Sequence, residues 1–276
     1  MTAPSFTIKF TNVLFLMAFA SDKVFLWLSC EKNRLRVLCL PFTLRDTHRY
    51  QGNTVVDKLA SGVQAPAELF IWTDIDPNYE DDFNQWYEQE HMLERASIPG
   101  FVWARRYRAL QSPRKYLALY RTEQLAVFDS PAYQEAFTHQ TQWSVQNFER
   151  MHNTVRRVMV VTPTSQTVGT GSAVALVALS DEAQALAAAQ WMQGQSFTGV
   201  VSTRILNPDP QRSTPLPSES AEGRVLQPFF LIEATTPEAV TQAAQQLAQA
   251  LDLAAESVAT FELLWGLRSA DLSDSL

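Results

Sequence analysis

At two places in this chain, two strand patterns follow each other with no helix between them, and this constrains the fold more than any other feature. Phe101–Leu110 and Lys115–Arg121 form the first pair, and Phe197–Leu206 and Phe229–Ala234 form the second. β-branched and aromatic residues are frequent in these segments, and turn residues separate them. Because parallel neighbours need a long crossover, each pair predicts an antiparallel sheet and argues against a doubly wound parallel one.

A helix and a further strand flank each pair on both sides, so the order strand, helix, strand, strand, helix, strand occurs twice. The outer strands are predicted at Glu68–Ile75, Val155–Val161, Ser172–Leu179 and Val258–Leu267. The helices are predicted at Asn78–Ile98, from Glu123 into the 140s with a break near Ser130-Pro131, at Asp181–Met192, and at Pro237–Leu251. Each sheet would carry helices on one face only, so two such sheets can bury their bare faces against each other as a barrel.

Charge and cysteine content divide the chain near residue 65. Residues 1–65 hold 8 Lys/Arg against 4 Asp/Glu and both cysteines, whereas the remainder holds 14 against 25. We therefore expect an amino-terminal extension over 1–65, a site-bearing repeat over 66–165 and a second repeat over 170–268. The net charge of −7 argues against nucleic acid as a partner, because phosphate binding needs a basic face.

The amino-terminal extension permits three interpretations. Lys9 and the apolar run 12–20, which ends Ala18-Phe19-Ala20, have the pattern of a secretory signal, and the run is too short for a transmembrane helix. Alternatively the segment is disordered or an artefact of a misassigned start, with translation beginning near Val63, or it is a folded arm. We expect the start-site artefact and a cytoplasmic protein, which mass spectrometry of the native amino terminus would test.

A family resemblance is carried by Asn84-Gln-Trp-Tyr-Glu-Gln-Glu-His91, followed by Arg95 and Ile98-Pro-Gly-Phe101. This stretch resembles the helix signature of EthD-like and related dimeric α+β barrel proteins, which have a ferredoxin-like fold. The segments that resemble the family's next strands and second helical region are Arg105-Arg-Tyr107, Tyr116-Leu-Ala-Leu-Tyr120, Ser130-Pro-Ala-Tyr133 and Trp143. The resemblance covers about 67–163, and beyond that it is one of topology alone. It implies an α+β protein of two tandem ferredoxin-like repeats packed as a pseudo-dimeric barrel.

The helix over Asn78–Ile98 carries the candidate chemistry. At 3.6 residues per turn, the residues near one line are Phe83, Trp86, Tyr87 and Glu94, with Glu90 between them. We expect the sheet to bury this stripe, so that Glu90, with Glu94 as a second candidate, faces apolar neighbours. His91 lies on the flank. A buried carboxylate needs a partner or a raised pKa, and both outcomes suit catalysis.

The functional hypothesis makes His91 a general acid/base that Glu90 or a nearby aspartate orients, with Asp74 as a second carboxylate. The residues predicted to bind substrate are Trp72, Tyr87, Arg95, Arg106, Tyr107 and Tyr120. Arg105 and Arg106 are adjacent on a strand, so one should reach the helix and the other the barrel interior. The structural alternative is that Glu90 pairs with Arg105, Arg106 or Arg108 and that the tryptophans are core residues.

Few residues in the sequence have the type and spacing that bind a metal or a cofactor. After residue 65 the histidines are His91, His139 and His152, without metal-ligand spacing or cysteine, and no glycine-rich phosphate loop follows a strand. The second repeat offers no counterpart of Glu90, His91 or Arg95 and is expected to be scaffold. We therefore predict no cofactor and no metal.

These patterns favour a cofactor-independent proton-transfer enzyme, of lyase, isomerase or cyclase type, acting on a small aromatic or carbonyl compound. The alternative is a non-catalytic barrel that binds a hydrophobic ligand or serves as an assembly partner. No membrane partner is expected, and both a monomer and a homodimer remain open.

Overall fold

The computed structural model describes residues 64–165, 169–216, 219 and 222–272, together with five short strands nearer the amino terminus. Those strands are Phe6–Phe10, Val13–Ala20, Lys23–Phe25, Cys30–Glu31 and Arg34–Leu35, within a unit over Met1–Asn53. The first three form an antiparallel sheet. The signal, start-site and folded-arm hypotheses concern a segment that lies mostly outside the described residues.

Eight antiparallel strands close into a barrel in the unit over Thr54–Leu276. They are β1 (Ala67–Ile75), β2 (Phe101–Gln111), β3 (Tyr116–Thr122), β4 (Met151–Pro163), β5 (Ala173–Ala178), β6 (Val200–Pro208), β7 (Phe229–Ala234) and β8 (Val258–Arg268). Their order is β5-β7-β6-β4-β1-β3-β2-β8, and β8 pairs back with β5. The predicted antiparallel α+β barrel is confirmed. The structure adds that the β4–β6 and β2–β8 ladders join the two halves by backbone hydrogen bonds.

Helices cover the outer faces of the sheet. They are α1 (Glu80–Trp86), α2 (Met92–Ala96), α3 (Pro131–Thr138), α4 (Gln142–Arg150), α5 (Glu182–Gln193) and α6 (Pro237–Ala250). Ser130 and Thr236, each before a proline, accept a backbone N–H of the first turn, as N-caps do. The break predicted near Ser130-Pro131 is therefore a helix start. No helix in the described residues is long and apolar enough to cross a lipid bilayer.

Side-chain alternation along the strands creates separate apolar layers. Odd-numbered residues of β1, such as Leu69 and Ile71, face the first-half helices, whereas Phe70 and Trp72 face the barrel interior. In the second half, β5 and β7 turn Ala175 and their other outward residues toward α5 and α6. Neighbouring residues of one strand thus lie in different compartments, which decides which side chains can share a site.

A buried network of charged side chains links the two halves inside the barrel. Glu68 on β1 pairs with Arg121 at 2.7 Å and with Arg204 on β6 at 3.0 Å. Glu233 on β7 pairs with Arg105 at 3.0 Å and with Arg204 at 3.3 Å. Burial alone would raise the pKa of Glu68, but Arg204 and Arg121 together lower it below its ordinary value. Arg204 and Glu233 of the second half are therefore structural partners of residues in the first half.

Candidate active site between the helices and the barrel

The first helical layer contains a turn that is not α-helical. Between α1 and α2, residues Tyr87–His91 form a π-helical turn, in which the N–H of Met92 bonds to the carbonyl of Tyr87 five residues earlier. Such single turns are rare and occur frequently at functional sites. The wider turn stacks His91 on Trp86, with their ring centroids 4.2 Å apart, although an ordinary α-helix would point these two residues in different directions.

The π turn changes which residues of the following turn are buried. His91 and Arg95 are 5% and 4% exposed, whereas Glu90 and Glu94 are only partly buried. The expectation that Glu90 and Glu94 continue the buried stripe is wrong, because it assumed 3.6 residues per turn throughout. Upstream of the turn the stripe is as predicted.

His91 lies in an aromatic setting. Its ring contacts Tyr87, Phe148 and Tyr120 edge to face at centroid distances of 5.3, 5.9 and 6.1 Å. Its Nδ1 is buried without a hydrogen-bond partner, and the nearest carboxylate oxygen, Glu94 Oε2, is 3.8 Å away. Burial lowers the pKa of His91 well below its ordinary value, and the positive charges of Arg95 and Arg106 lower it further. The imidazole is therefore neutral at neutral pH.

Glu90 does not orient His91. Its Oε1 accepts hydrogen bonds from Trp86 Nε1 at 3.2 Å, Thr141 Oγ1 at 2.5 Å and Ser144 Oγ at 3.2 Å. Thr141 is the N-cap of α4, so the carboxylate lies at a helix amino terminus, where the helix dipole stabilises negative charge. The catalytic hypothesis for Glu90 is corrected to a structural link between two helices. The suggested pairing with Arg105, Arg106 or Arg108 is wrong too, because these arginines bond to Glu233, Asn84 and Glu262.

A cavity of about 230 Å³ lies beside His91, between the helices and the outer face of the sheet. Its walls are mostly apolar and come from several elements. The lining residues are Leu69, Ile71, Tyr87, His91, Arg95, Tyr133, Phe137, Gln140, Phe148, Met151, Arg156 and Leu216. An apolar cavity with a few convergent polar groups and a titratable group of shifted pKa is the expected form of a small-molecule site.

Three of the predicted binding residues, Tyr87, Arg95 and Arg106, lie at the cavity wall or directly behind it. Tyr87 and Arg95 line the cavity. Arg106 lies behind Tyr87, with its guanidinium carbon 4.1 Å from the Tyr87 ring centroid and 4.5 Å from that of Tyr116. It reaches the helix layer while Arg105 reaches the barrel interior, as the strand alternation predicted. Arg106 is thus enclosed by aromatic rings and contributes positive potential rather than cavity surface.

Tyr120 lies against the His91 ring on the side of the sheet. Its hydroxyl is buried, and burial raises the pKa of the phenol well above its ordinary value, with a further contribution from the neighbouring Tyr87. The phenol therefore stays protonated at neutral pH and is a potential donor.

The other predicted site residues lie elsewhere. Trp72 and Tyr107 point into the barrel interior, where burial raises the pKa of Tyr107 to about 12. Trp72 lines a second cavity of about 350 Å³, and its Nε1 donates to Ser112 Oγ at 3.1 Å. Asp74 accepts hydrogen bonds from the Lys115 N–H at 2.8 Å and from Asn153 Nδ2 at 3.2 Å. The structure therefore does not bring these three residues to His91.

Some cavity residues could not be assigned from the sequence. Arg156 on β4 is buried, and its Nη1 donates to the carbonyls of Arg212 and Thr214 at 2.9 Å each. These carbonyls belong to the loop before β7, which also contributes Leu216 to the cavity wall. The second half thus contributes to the wall of this cavity. The sequence signal that could have pointed to Arg156 was the Arg156-Arg157 pair. Adjacent residues on a strand face opposite sides of the sheet, so one of the two arginines must face the helices.

Comparison with known proteins supports the fold only. No family model and no curated protein matches the chain. Among solved structures, it is similar to an anthrone oxidase-like protein, with 12% identity, a TM-score of 0.50, and coverage of 75% of this chain and 94% of the other. Weaker similarity is found to a proposed monooxygenase from Lactobacillus acidophilus NCFM (12% identity, TM-score 0.45, 74% and 94% coverage). A chlorite dismutase variant from Candidatus Nitrospira defluvii, in complex with cyanide, gives 11% identity, a TM-score of 0.42, and 75% and 93% coverage. The chain therefore has a fold of the ferredoxin-like α+β barrel type.

Proposed function

We propose that this protein is a cofactor-independent enzyme that moves a proton on a small aromatic or carbonyl compound bound in the His91 cavity. One observation carries the proposal: a buried imidazole, kept neutral by its surroundings, forms part of an apolar cavity wall. A neutral imidazole can accept a proton at neutral pH without first losing one. Proton abstraction of this kind is one way in which lyase, isomerase and cyclase reactions begin.

Glu94 is the carboxylate suited to assist His91 in this proposal. The 3.8 Å from Glu94 Oε2 to His91 Nδ1 is too long for a hydrogen bond, yet a small side-chain rotation would close it. With the Nδ1 proton directed at Glu94, Nε2 would be free to take the substrate proton. Burial raises the pKa of Glu94, and Arg95 opposes that shift. Glu94 would thus take the positioning role that the sequence suggested for Glu90.

The proposal is tested by isotope exchange, which needs no knowledge of the final product. A panel of aryl ketones and aryl acetates is incubated with the protein in D₂O, and exchange of the acidic C–H is followed by NMR. Replacing His91 with Gln should slow exchange by roughly 10²–10⁴-fold. The matched control is His139→Gln, because His139 is exposed and pairs with Glu135 on the surface. Undiminished exchange in a folded His91→Gln protein would contradict the proposal.

A second candidate function is non-catalytic binding of a hydrophobic ligand, favoured by the predominantly apolar cavity wall. The two functions differ in the behaviour of His91. A ligand that moves the His91 pKa in an NMR titration favours the enzyme, since it implies direct contact with the imidazole. Ligand binding that leaves the titration unchanged favours the simple binding protein.

We further propose that residues 66–165 and 170–268 are two repeats of one unit that together imitate a dimer. Both halves have the order strand, helical segment, two strands, helical segment, strand, which supports this, although each helical segment of the first half is divided into two helices. The EthD-like resemblance and the cytoplasmic location are proposals of the same kind. Whether the chain also forms a homodimer is a question for light scattering.

A further inference from the structure

The charges around the His91 cavity are unbalanced. Two arginines, Arg95 and Arg156, line the cavity together with ten uncharged or weakly basic residues, and none of the lining residues is Asp or Glu. Both arginines are buried, at 4% and 3% exposure. Arg106 adds a third buried positive charge behind Tyr87.

The partners of these arginines are neutral. Arg95 Nη2 donates to the Ala136 carbonyl and to Gln140 Oε1, both at 3.1 Å. Arg156 Nη2 donates to the Tyr133 hydroxyl at 2.9 Å, and its Nη1 bonds to the loop carbonyls described above. Within the described residues, neither guanidinium lies within 4 Å of a carboxylate.

Other buried arginines of the same barrel differ in this respect. Arg157, the neighbour of Arg156 on β4, faces the opposite side and pairs with Glu219. Arg204 and Arg105, both in the barrel interior, pair with Glu233. Over the part of the chain that the structure describes, these arginines therefore have carboxylate partners, whereas those at the His91 cavity do not.

An unpaired buried charge is costly, and neutral hydrogen-bond acceptors offset only part of that cost. A site that keeps such charges is pre-organised for an anion, because arginine binds carboxylate groups with well-defined geometry. The remaining wall is formed by aromatic and aliphatic side chains such as Phe137, Phe148 and Ile71, which suit an apolar body. The cavity lies below the roughly 300–1,000 Å³ of drug-sized sites, so the occupant is small.

We infer that the His91 cavity takes a small aromatic carboxylate, with Arg156 and Arg95 binding the carboxylate and the apolar walls holding the ring. This inference rests on the proposed function for the location of the site, but it concerns recognition rather than proton transfer. Arg156 depends on the 212–214 carbonyls for its position, so the second half of the barrel takes part in recognition.

The test compares 2-naphthoate with its neutral isostere 2-naphthamide as probes, with binding followed by calorimetry. Wild-type protein should bind the carboxylate about tenfold or more tightly than the amide, since a charge-assisted bond is at stake. Arg156→Met should remove this preference. Arg95→Met should weaken it and serves as the second variant if the first does not fold. The control Arg108→Met makes the same change of net charge at an exposed pair with Glu262 and should leave the preference intact.

Equal affinity for the two probes, no binding of either, or a preference that survives both Arg156→Met and Arg95→Met overturns the inference. Its failure can be separated from failure of the proton-transfer proposal by His91→Gln. That variant should lose isotope exchange while it keeps the preference for naphthoate over naphthamide.

Discussion

The two halves of the barrel share one order of elements and yet fill the space between helices and sheet differently. In the first half, large rings such as Phe83, Trp86 and Tyr133 occupy this space, and a cavity lies among them. In the second half, the helices present mostly alanines, among them Ala188 and Ala244. The shared topology therefore does not fix how this space is filled, which depends on side-chain size and helix winding.

The largest expected effect on stability comes from weakening the ion pairs between the two halves. Glu233→Gln removes a carboxylate from between Arg105 and Arg204, and breaking such a buried pair costs about 3–5 kcal/mol of unfolding free energy. Urea denaturation measures the loss. The control Glu262→Gln breaks the partly exposed pair with Arg108 and should cost about 0–1 kcal/mol. Equal losses in the two variants would show that the interior network does not hold the halves together.

Larger side chains should affect the helix–sheet space of the two halves differently. Ala244→Leu inserts atoms into a fully buried position of the second half and should cost about 1–3 kcal/mol. Ile71→Phe adds volume toward the first-half cavity, which can accept it, so we expect little loss of stability and strongly weakened binding of 2-naphthoate. Thermal unfolding and calorimetry measure the two effects. A comparable destabilisation by Ile71→Phe would mean that the cavity cannot accept added atoms.

The smallest expected effect is a difference in pH dependence. The pKa of His91 in the folded protein lies well below the value of about 6.5 expected for the unfolded chain. As pH falls below 6.5, the unfolded state takes up a proton first, so stability decreases between 6.5 and the folded pKa and is unaffected by this group above 6.5.

The measurement for His91 is urea denaturation of wild type and His91→Gln at several pH values. The variant should lose less stability on acidification than the wild type, and the two curves should run parallel above pH 6.5. Identical slopes below pH 6.5 would mean that the imidazole is solvated in the folded protein.

The sequence predicted the fold better than the site because the two depend on different information. Strand alternation, turn residues and caps such as Asp76 and Ser130 act locally, and they were sufficient to find the strands and their antiparallel order. Some predicted strand boundaries differ from the observed ones because of a local feature of the backbone. For example, β6 begins at Val200 rather than Phe197, after Gly199 with its φ of +87°.

The site depends on contacts between distant elements and on one irregular turn. His91 could be singled out as a candidate because it lies within a recognisable helix, and the opposite directions of Arg105 and Arg106 were predicted correctly from strand alternation. Arg156 and Leu216 reach the cavity from a strand and a loop far along the chain. Strand alternation indicates that either Arg156 or Arg157 faces the helices, but no local pattern shows that it reaches this cavity. Glu90 was misassigned because a π turn leaves no clear mark in the periodicity of residue types.

The π turn also affects the charge of the pocket, because it places His91 and Arg95 in the pocket wall. If this segment were an ordinary α-helix, Glu90 and Glu94 would face inward, and His91 and Arg95 would face solvent. The pocket would then hold two carboxylates in place of His91 and Arg95, with Arg156 still present on β4, and would lose the excess of positive charge on which the proposed anion site depends. A change of winding over these five residues would thus remove the proposed preference for an anion. The π turn is therefore as important to the site as any single side chain on the helix.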